Sequence, residues 1–293
     1  MSFGDIELTT ITYDPNKKYP VTTSNIDFIK DQEESFVAKI YQPDGPGPFP
    51  VLLDVHGGAW QGGTAEDGQY FDQKLAESGI LVAAIDFRVA PKDPYPAQVA
   101  DVNYGTRWWK SRAKSYNGDP SSFGVLGISS GGHTAMLAAL CPTRSDYLKR
   151  PSDKNITAKD ASVDYYIGIS AVLDSHARYL YAKEAGMENL IQGSLVYFGD
   201  EESMRIGSPQ FILESGAFEN LPPTLLIHGT SDANVPNYIP DNFEVEYRSQ
   251  GGDIELVRFD GMHHSFVREP LPESDKAIEI MKIFISKQVS SSR

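Results

Sequence analysis

Apolar runs that predict strands alternate with helix-like segments along most of the chain. Six mainly apolar runs predict strands, at 51–55, 80–87, 123–128, 163–170, 224–228 and 254–259. Four segments carry helical patterns, at 68–78, 96–113, 130–140 and about 274–287. Strands that are apolar throughout and alternate with helices are typical of a parallel sheet covered by helices on both faces.

Two regions depart from this rhythm. Residues 21–30 and 35–42 alternate apolar and polar positions, which predicts antiparallel strands at an N-terminal edge of the sheet. The segment 171–221 has three helix-like stretches and no clear strand, at 175–186, 188–197 and 208–213. We therefore expect a single domain over 1–293, with a cap-like helical insertion at about 171–221 above the C-terminal edge of the sheet.

The composition of the chain argues against several classes of binding partner. The 293-residue chain is long enough for a large core, and its net charge of −14 disfavours nucleic acids and anionic membranes as partners. No stretch reaches the apolar length of a membrane span, and no secretory signal pattern is present at the N-terminus. The single cysteine, Cys141, excludes an internal disulfide. We expect a cytoplasmic protein that acts on a small molecule.

The segment Gly127-Ile128-Ser129-Ser130-Gly131 joins a predicted strand to a predicted helix. A serine held in such a sharp bend presents its hydroxyl at the C-terminal edge of the sheet, and glycines relieve the crowding around it. The pattern predicts Ser129 as a nucleophile, provided that a base, an acid and an oxyanion site accompany it.

A base and an acid follow the last two core strands. Gly261-Met262-His263-His264 comes after the strand at 254–259, so either histidine is a candidate base. Asp232 follows the strand at 224–228 and is the candidate acid, which produces the chain order serine, aspartate, histidine. Its rivals are Asp260, which lies only a few residues before the histidines, and Asp200, which lies in the expected cap.

An oxyanion site is predicted after the strand at 51–55. The glycines of His56-Gly57-Gly58-Ala59-Trp60 let the backbone approach a ligand closely. The N–H groups of Gly58, Ala59 and Ser130 would hold the negative charge that develops on a carbonyl oxygen. Each such donor stabilises the transition state by about 3 kcal/mol.

Together these motifs resemble those of α/β-hydrolase-fold serine esterases, in the group of hormone-sensitive lipases, acetyl and feruloyl esterases and kynurenine formamidases. The residues that carry the resemblance are His56 to Trp60, Asp86 to Pro91, Gly127 to His133, His228 to Asp232 and His264 to Phe266. The family pattern selects His264, rather than His263, as the base. Trp60 is closer to the feruloyl esterase and formamidase branches than to the lipase branch, and is expected to bind substrate. Self-association of relatives implies a homodimer.

The predicted reaction is hydrolysis of a small or medium carboxylic ester through Ser129, His264 and Asp232, with no metal or cofactor. Two alternatives stay open from the sequence. One keeps the site but cleaves an amide, formamide or lactone. The other is a non-catalytic binding protein on a hydrolase scaffold, which the presence of all three triad residues disfavours.

Overall fold

The computed structural model describes residues 13–30, 35–150 and 156–291. Strands β1 to β8 cover Val21–Lys30, Ser35–Pro43, Phe49–Val55, Leu81–Ile85, Gly118–Ile128, Tyr165–Ile169, Thr224–Gly229 and Ile254–Phe259. Helices α1 to α9 cover Gln69–Glu77, Ala97–Arg112, Ser130–Leu140, Ser175–Glu184, Glu188–Phe198, Glu201–Ile206, Pro209–Glu214, Tyr238–Ser249 and Pro272–Ser291.

The eight strands form one sheet in the order β1-β2-β4-β3-β5-β6-β7-β8. The pairs β1–β2 and β2–β4 are antiparallel, and every pair from β4 to β8 is parallel. This confirms the predicted α/β fold with an antiparallel N-terminal edge. Because the parallel strands share one direction, the loops that follow β3, β5, β7 and β8 all lie at the same edge.

Each face of the sheet carries its own apolar core. Alternate residues of one strand enter different cores, since Leu53 lies on one side and Leu52 on the other. Helices α2, α3 and α8 cover the first side, and α1 and α9 cover the second. Burial on both sides explains why the strands read as continuous apolar runs.

Two helices were missed by the sequence reasoning. Helix α8 joins β7 to β8, and its buried Ile239, Phe243 and Tyr247 recur every four residues, a signal that could have found it. Helix α6 is only six residues long, too short for a visible period, and the Asp200 side chain caps it by accepting from the Ser203 N–H at 2.7 Å. Four helices, α4 to α7, therefore lie between β6 and β7, rather than the three expected.

None of the described helices combines the length and apolar character that a bilayer crossing needs. The same residues contain no group of three or more His, Cys, Asp or Glu side chains arranged to hold a metal ion.

Two acidic side chains are buried together beneath the end of β3. Asp54 on β3 is 1% exposed and Asp72 on α1 is fully enclosed. A Cβ atom at Gly68 would lie 2.6 Å from an oxygen of Asp54 and 2.8 Å from an oxygen of Asp72, so the carboxyl groups are neighbours. Burial raises the pKa of Asp54 to about 7 against the opposing charge of Arg268, and burial with the charge of Asp54 raises the pKa of Asp72.

From this buried pair we expect stability to fall as the pH rises from about 4 to about 7. The folded chain keeps a proton on Asp54 that the unfolded chain releases near pH 4, so its contribution to stability is complete below that pH. The contribution is lost as the pH rises through about 7. We expect Asp54→Asn to raise the free energy of unfolding at pH 8 by on the order of 2 kcal/mol relative to the unsubstituted chain, with little gain at pH 4. Urea unfolding across this range measures the effect, with exposed Asp253→Asn as the control. Parallel pH profiles for Asp54→Asn and the unsubstituted chain would contradict it.

Candidate active site

Ser129 lies at the sharp bend between β5 and α3. Its backbone has φ 56° and ψ −121°, in the left-handed region that side-chain-bearing residues rarely adopt. The bend is possible because Gly127 and Gly131 lack side chains. A Cβ at Gly127 would lie 2.6 Å from the Gly131 carbonyl oxygen, and one at Gly131 would lie 2.2 Å from the His56 carbonyl oxygen. This is the geometry of a nucleophile elbow.

The imidazole of His264 contacts the serine. Ser129 Oγ lies 2.8 Å from His264 Nε2, and His264 Nδ1 lies 2.8 Å from Asp232 Oδ2. An ionised carboxylate only accepts hydrogen bonds, so the ring proton is on Nδ1. Nε2 is then free to accept the proton of the serine hydroxyl.

Asp232 is held by its own loop. Its side chain is fully enclosed, and Oδ1 accepts hydrogen bonds from the backbone N–H groups of Asn234 and Val235, each at 2.9 Å. Burial would raise the pKa of this carboxyl. The hydrogen bond and charge of His264, with the Val235 N–H, outweigh burial and hold the pKa below its ordinary value. Asp232 therefore stays ionised at neutral pH and fixes the orientation of the imidazole.

The alternatives weighed from the sequence lie elsewhere. His263 is about half exposed, and its ring faces Glu269 at 3.3 Å and the His264 carbonyl at 3.1 Å. Asp260 accepts a hydrogen bond from Thr230 Oγ1, and Asp200 caps α6. Of these candidates, the structure brings Asp232 and His264 to Ser129.

Three backbone N–H groups predicted for the oxyanion are available. Within the described residues, the N–H groups of Gly58, Ala59 and Ser130 donate to no backbone carbonyl. Gly58 and Ala59 both have positive φ, at 125° and 52°, so the loop after β3 turns sharply at these two residues. A Cβ at the preceding Gly57 would lie 3.1 Å from Ser129 Cβ, so this loop passes directly beside the nucleophile.

Side chains that the sequence reasoning did not single out fix this loop. Ser130 Oγ accepts a hydrogen bond from the Trp60 N–H at 3.2 Å. The Trp60 carbonyl accepts from Gln98 Nε2 at 2.6 Å and from the Ala90 N–H at 2.9 Å. These contacts join the oxyanion loop to α3 through Ser130 and to α2 through Gln98. No local motif could have revealed them, because the partners are 30 to 70 residues apart in the chain.

Trp60 differs from the expectation that it binds substrate directly. Its side chain is only 1% exposed, because the indole stacks on Tyr197 of α5 with ring centres 5.1 Å apart. Its Nε1 donates to His133 Nδ1 at 3.2 Å, and His133 Nε2 in turn donates to the Gly207 carbonyl. Trp60 thus joins the oxyanion loop to the helices between β6 and β7, and its ring is covered by Tyr197, Phe198 and the Arg178 guanidinium rather than left for a ligand.

The arrangement supports nucleophilic attack on a carbonyl group. A hydroxyl is hydrogen-bonded to an imidazole, which a buried carboxylate orients, and the loop that carries Gly58 and Ala59 passes beside the serine. This is the combination that acyl transfer needs.

Comparison with known proteins identifies the family. The model of the BD-FAE family matches residues 39–244, which span the oxyanion loop, the elbow and Asp232.

Curated relatives agree over most of this chain. A probable isoprenylcysteine alpha-carbonyl methylesterase of Oryza sativa subsp. japonica is 31% identical over 256 residues, which is 82% of this chain and 57% of that protein. Esterase LipQ of Mycobacterium tuberculosis is 27% identical over 86% of this chain and 59% of its own length. The chain spans just under three fifths of the length of these two relatives.

Among solved structures, esterase 2 of Thermogutta terrifontis in its propionate-bound form has a TM-score of 0.72 at 23% identity. The match covers 90% of this chain and 94% of that one. This likeness supports the fold, and the family match confirms the resemblance that the sequence motifs predicted. The chain therefore belongs to the BD-FAE family and has the α/β-hydrolase fold.

Proposed function

We propose that this chain is a serine esterase that hydrolyses small to medium carboxylic esters. The observation that carries the proposal is the continuous hydrogen-bonded line from Ser129 Oγ through His264 to Asp232. The relatives reported above are named as a probable methylesterase and an esterase, and the ester bond is the one their names share.

The proposed reaction has two halves. His264 Nε2 takes the proton of Ser129 as Oγ attacks the ester carbonyl, and the N–H groups of Gly58, Ala59 and Ser130 hold the oxyanion. The imidazolium then protonates the leaving alcohol as the bond to the acyl carbon breaks. Water repeats the sequence on the acyl-enzyme and releases the acid. Asp232 stabilises the imidazolium in both halves and keeps its own charge.

We also propose that residues 171–221 form a cap over this site, within a single domain. Gly193 of α5 supports this role, because a Cβ at that position would lie 2.9 Å from Gln61 Nε2 and 4.0 Å from Ala59 Cβ. The helix thus passes directly over the oxyanion loop.

The buried Cys141, whose pKa burial raises to about 11, is an unreactive thiol that suits a reducing compartment such as the cytoplasm.

The test compares bonds and chain lengths. We expect p-nitrophenyl esters from acetate to decanoate to be hydrolysed with a maximum among the shorter acyl groups, since the cap limits the space above Ala59. Butyryl p-nitroanilide should react far more slowly than p-nitrophenyl butyrate. Equal or faster cleavage of the anilide would instead establish the amidase alternative, and no cleavage of any ester would contradict the proposal.

A further inference from the structure

Arg178 is a buried cation in the first helix of the proposed cap. It lies on α4, and its side chain is only 3% exposed. The guanidinium carbon lies 4.9 Å from the centre of the Trp60 ring. Burial lowers the pKa of Arg178 to about 10, so the group still carries its charge at neutral pH.

The hydrogen-bonding capacity of this guanidinium is mostly unused. Within the described residues it donates one hydrogen bond, from Nη2 to Ser194 Oγ at 3.1 Å, while Nε is enclosed and has no partner. The charge that acts on it is that of Asp232, whose oxygens are already engaged by His264 and two backbone N–H groups. Buried arginines are ordinarily paired with an anion, because an unpaired charge is costly to desolvate.

The position of Arg178 places it beside the oxyanion loop. Trp60, on which it stacks, directly follows Ala59 in the chain. Ser194, its hydrogen-bond partner, directly follows Gly193, where α5 crosses that loop. The guanidinium is therefore enclosed between the cap helices and the loop that would hold the substrate carbonyl.

The Trp60 ring alone does not explain a buried guanidinium that has no carboxylate partner in the described part of the chain. An aromatic face offsets part of the desolvation cost, but it leaves the in-plane N–H groups without acceptors. A carboxylate is the acceptor that matches a guanidinium best, since it takes two parallel hydrogen bonds. We propose that Arg178 binds a carboxylate carried by the ester substrate, so that the preferred substrates are esters with a second, anionic end. This inference rests on the proposed esterase function.

Two pairs of esters with matched carbon skeletons test the inference and locate the anion. Monomethyl glutarate and methyl pentanoate differ only in a carboxylate or a methyl group at the end of the acyl chain. The butanoate ester of 3-hydroxypropanoate and propyl butanoate differ in the same way at the end of the alcohol. Proton release is followed at constant pH and about 0.15 M ionic strength, where screening limits the effect of the net charge of −14.

We expect kcat/KM for the anionic ester to exceed that of its neutral partner roughly tenfold or more in one of the two pairs. Arg178→Met, which removes the charge but keeps a long apolar side chain against Trp60, should bring that ratio to about one or below. Arg178→Gln replaces it if the methionine variant does not fold. The control is Arg205→Met, an exposed arginine of the same cap that pairs with Glu202; it should leave the ratio as it was.

A ratio of one or less in both pairs for the unsubstituted chain would overturn the inference without any variant. A high ratio that persists after Arg178 is replaced would overturn it too. Either result leaves the proposed function standing as long as the neutral esters are hydrolysed. Failure to hydrolyse any of the four esters, with Ser129→Ala indistinguishable from the unsubstituted chain, would instead remove the proposed function.

Discussion

Replacing Ser129 by alanine is expected to lower kcat/KM for p-nitrophenyl butyrate by on the order of 10⁴ to 10⁶-fold. The substitution removes the hydroxyl that lies 2.8 Å from His264 Nε2 and leaves no group that can form an acyl-enzyme. The N–H groups of Gly58, Ala59 and Ser130 remain, so a small activity above the uncatalysed reaction should persist. Steady-state kinetics with purified protein, active-site labelling by a fluorophosphonate and mass spectrometry of the labelled peptide measure the effect.

The matched control is Ser121→Ala, the same change at an exposed serine of the same strand, where the hydroxyl donates only to Asp119. This variant should keep its activity and its labelling. Thermal unfolding checks that Ser129→Ala is folded. Retention of more than a few per cent of the activity, or labelling at another serine, would show that the nucleophile lies elsewhere.

Asp232→Asn is expected to lower kcat by about 10³ to 10⁴-fold. Asparagine can keep its oxygen on the N–H groups of Asn234 and Val235, which turns its amide N–H groups toward His264 Nδ1. Nδ1 must then accept a hydrogen bond, and the ring proton moves to Nε2, where it faces Ser129. The imidazole in that tautomer has no lone pair with which to take the serine proton.

The controls for this second substitution are Asp260→Asn and Asp200→Asn. These aspartates were the sequence-level rivals for the acid, and their contacts are with Thr230 and with the backbone of α6. Both variants should remain within about twofold of the unsubstituted chain. Loss of activity on replacement of either one, with Asp232→Asn active, would reassign the acid.

The fold was largely predictable because a strand that is buried on both faces has a nearly continuous run of apolar residues. Strands β3 to β7 are enclosed between two apolar cores, so their apolar positions run together and stand out from the helices. Helix α8 escaped notice although Ile239, Phe243 and Tyr247 recur at helical spacing, and α6 is too short to show any period. The elements between β6 and β7 were placed correctly in the chain but not counted correctly.

The residues of the candidate site also fall into those that strand order predicts and those that it does not. The elbow at Ser129 and the loops with Asp232 and His264 each follow a strand, and parallel strands bring such loops to one edge of the sheet. The choice between His263 and His264 was different, because neighbouring residues point in different directions. The sequence favoured His264 only through the family resemblance. The structure shows the His264 ring hydrogen-bonded to Ser129 and the His263 ring facing Glu269.

By itself, then, the sequence determined the α/β fold, the order of serine, aspartate and histidine, and the loops that hold them, since these depend on periodicity and on residues adjacent in the chain. The tertiary structure alone decided what depends on contacts between distant segments. It buries Trp60 under α5, brings the Trp60 N–H to Ser130 Oγ, pairs Asp54 with Asp72, and encloses Arg178 Nε with no acceptor among the described residues. Each of these results from packing between helices and loops far apart in the chain, and such packing leaves no periodic trace in the sequence.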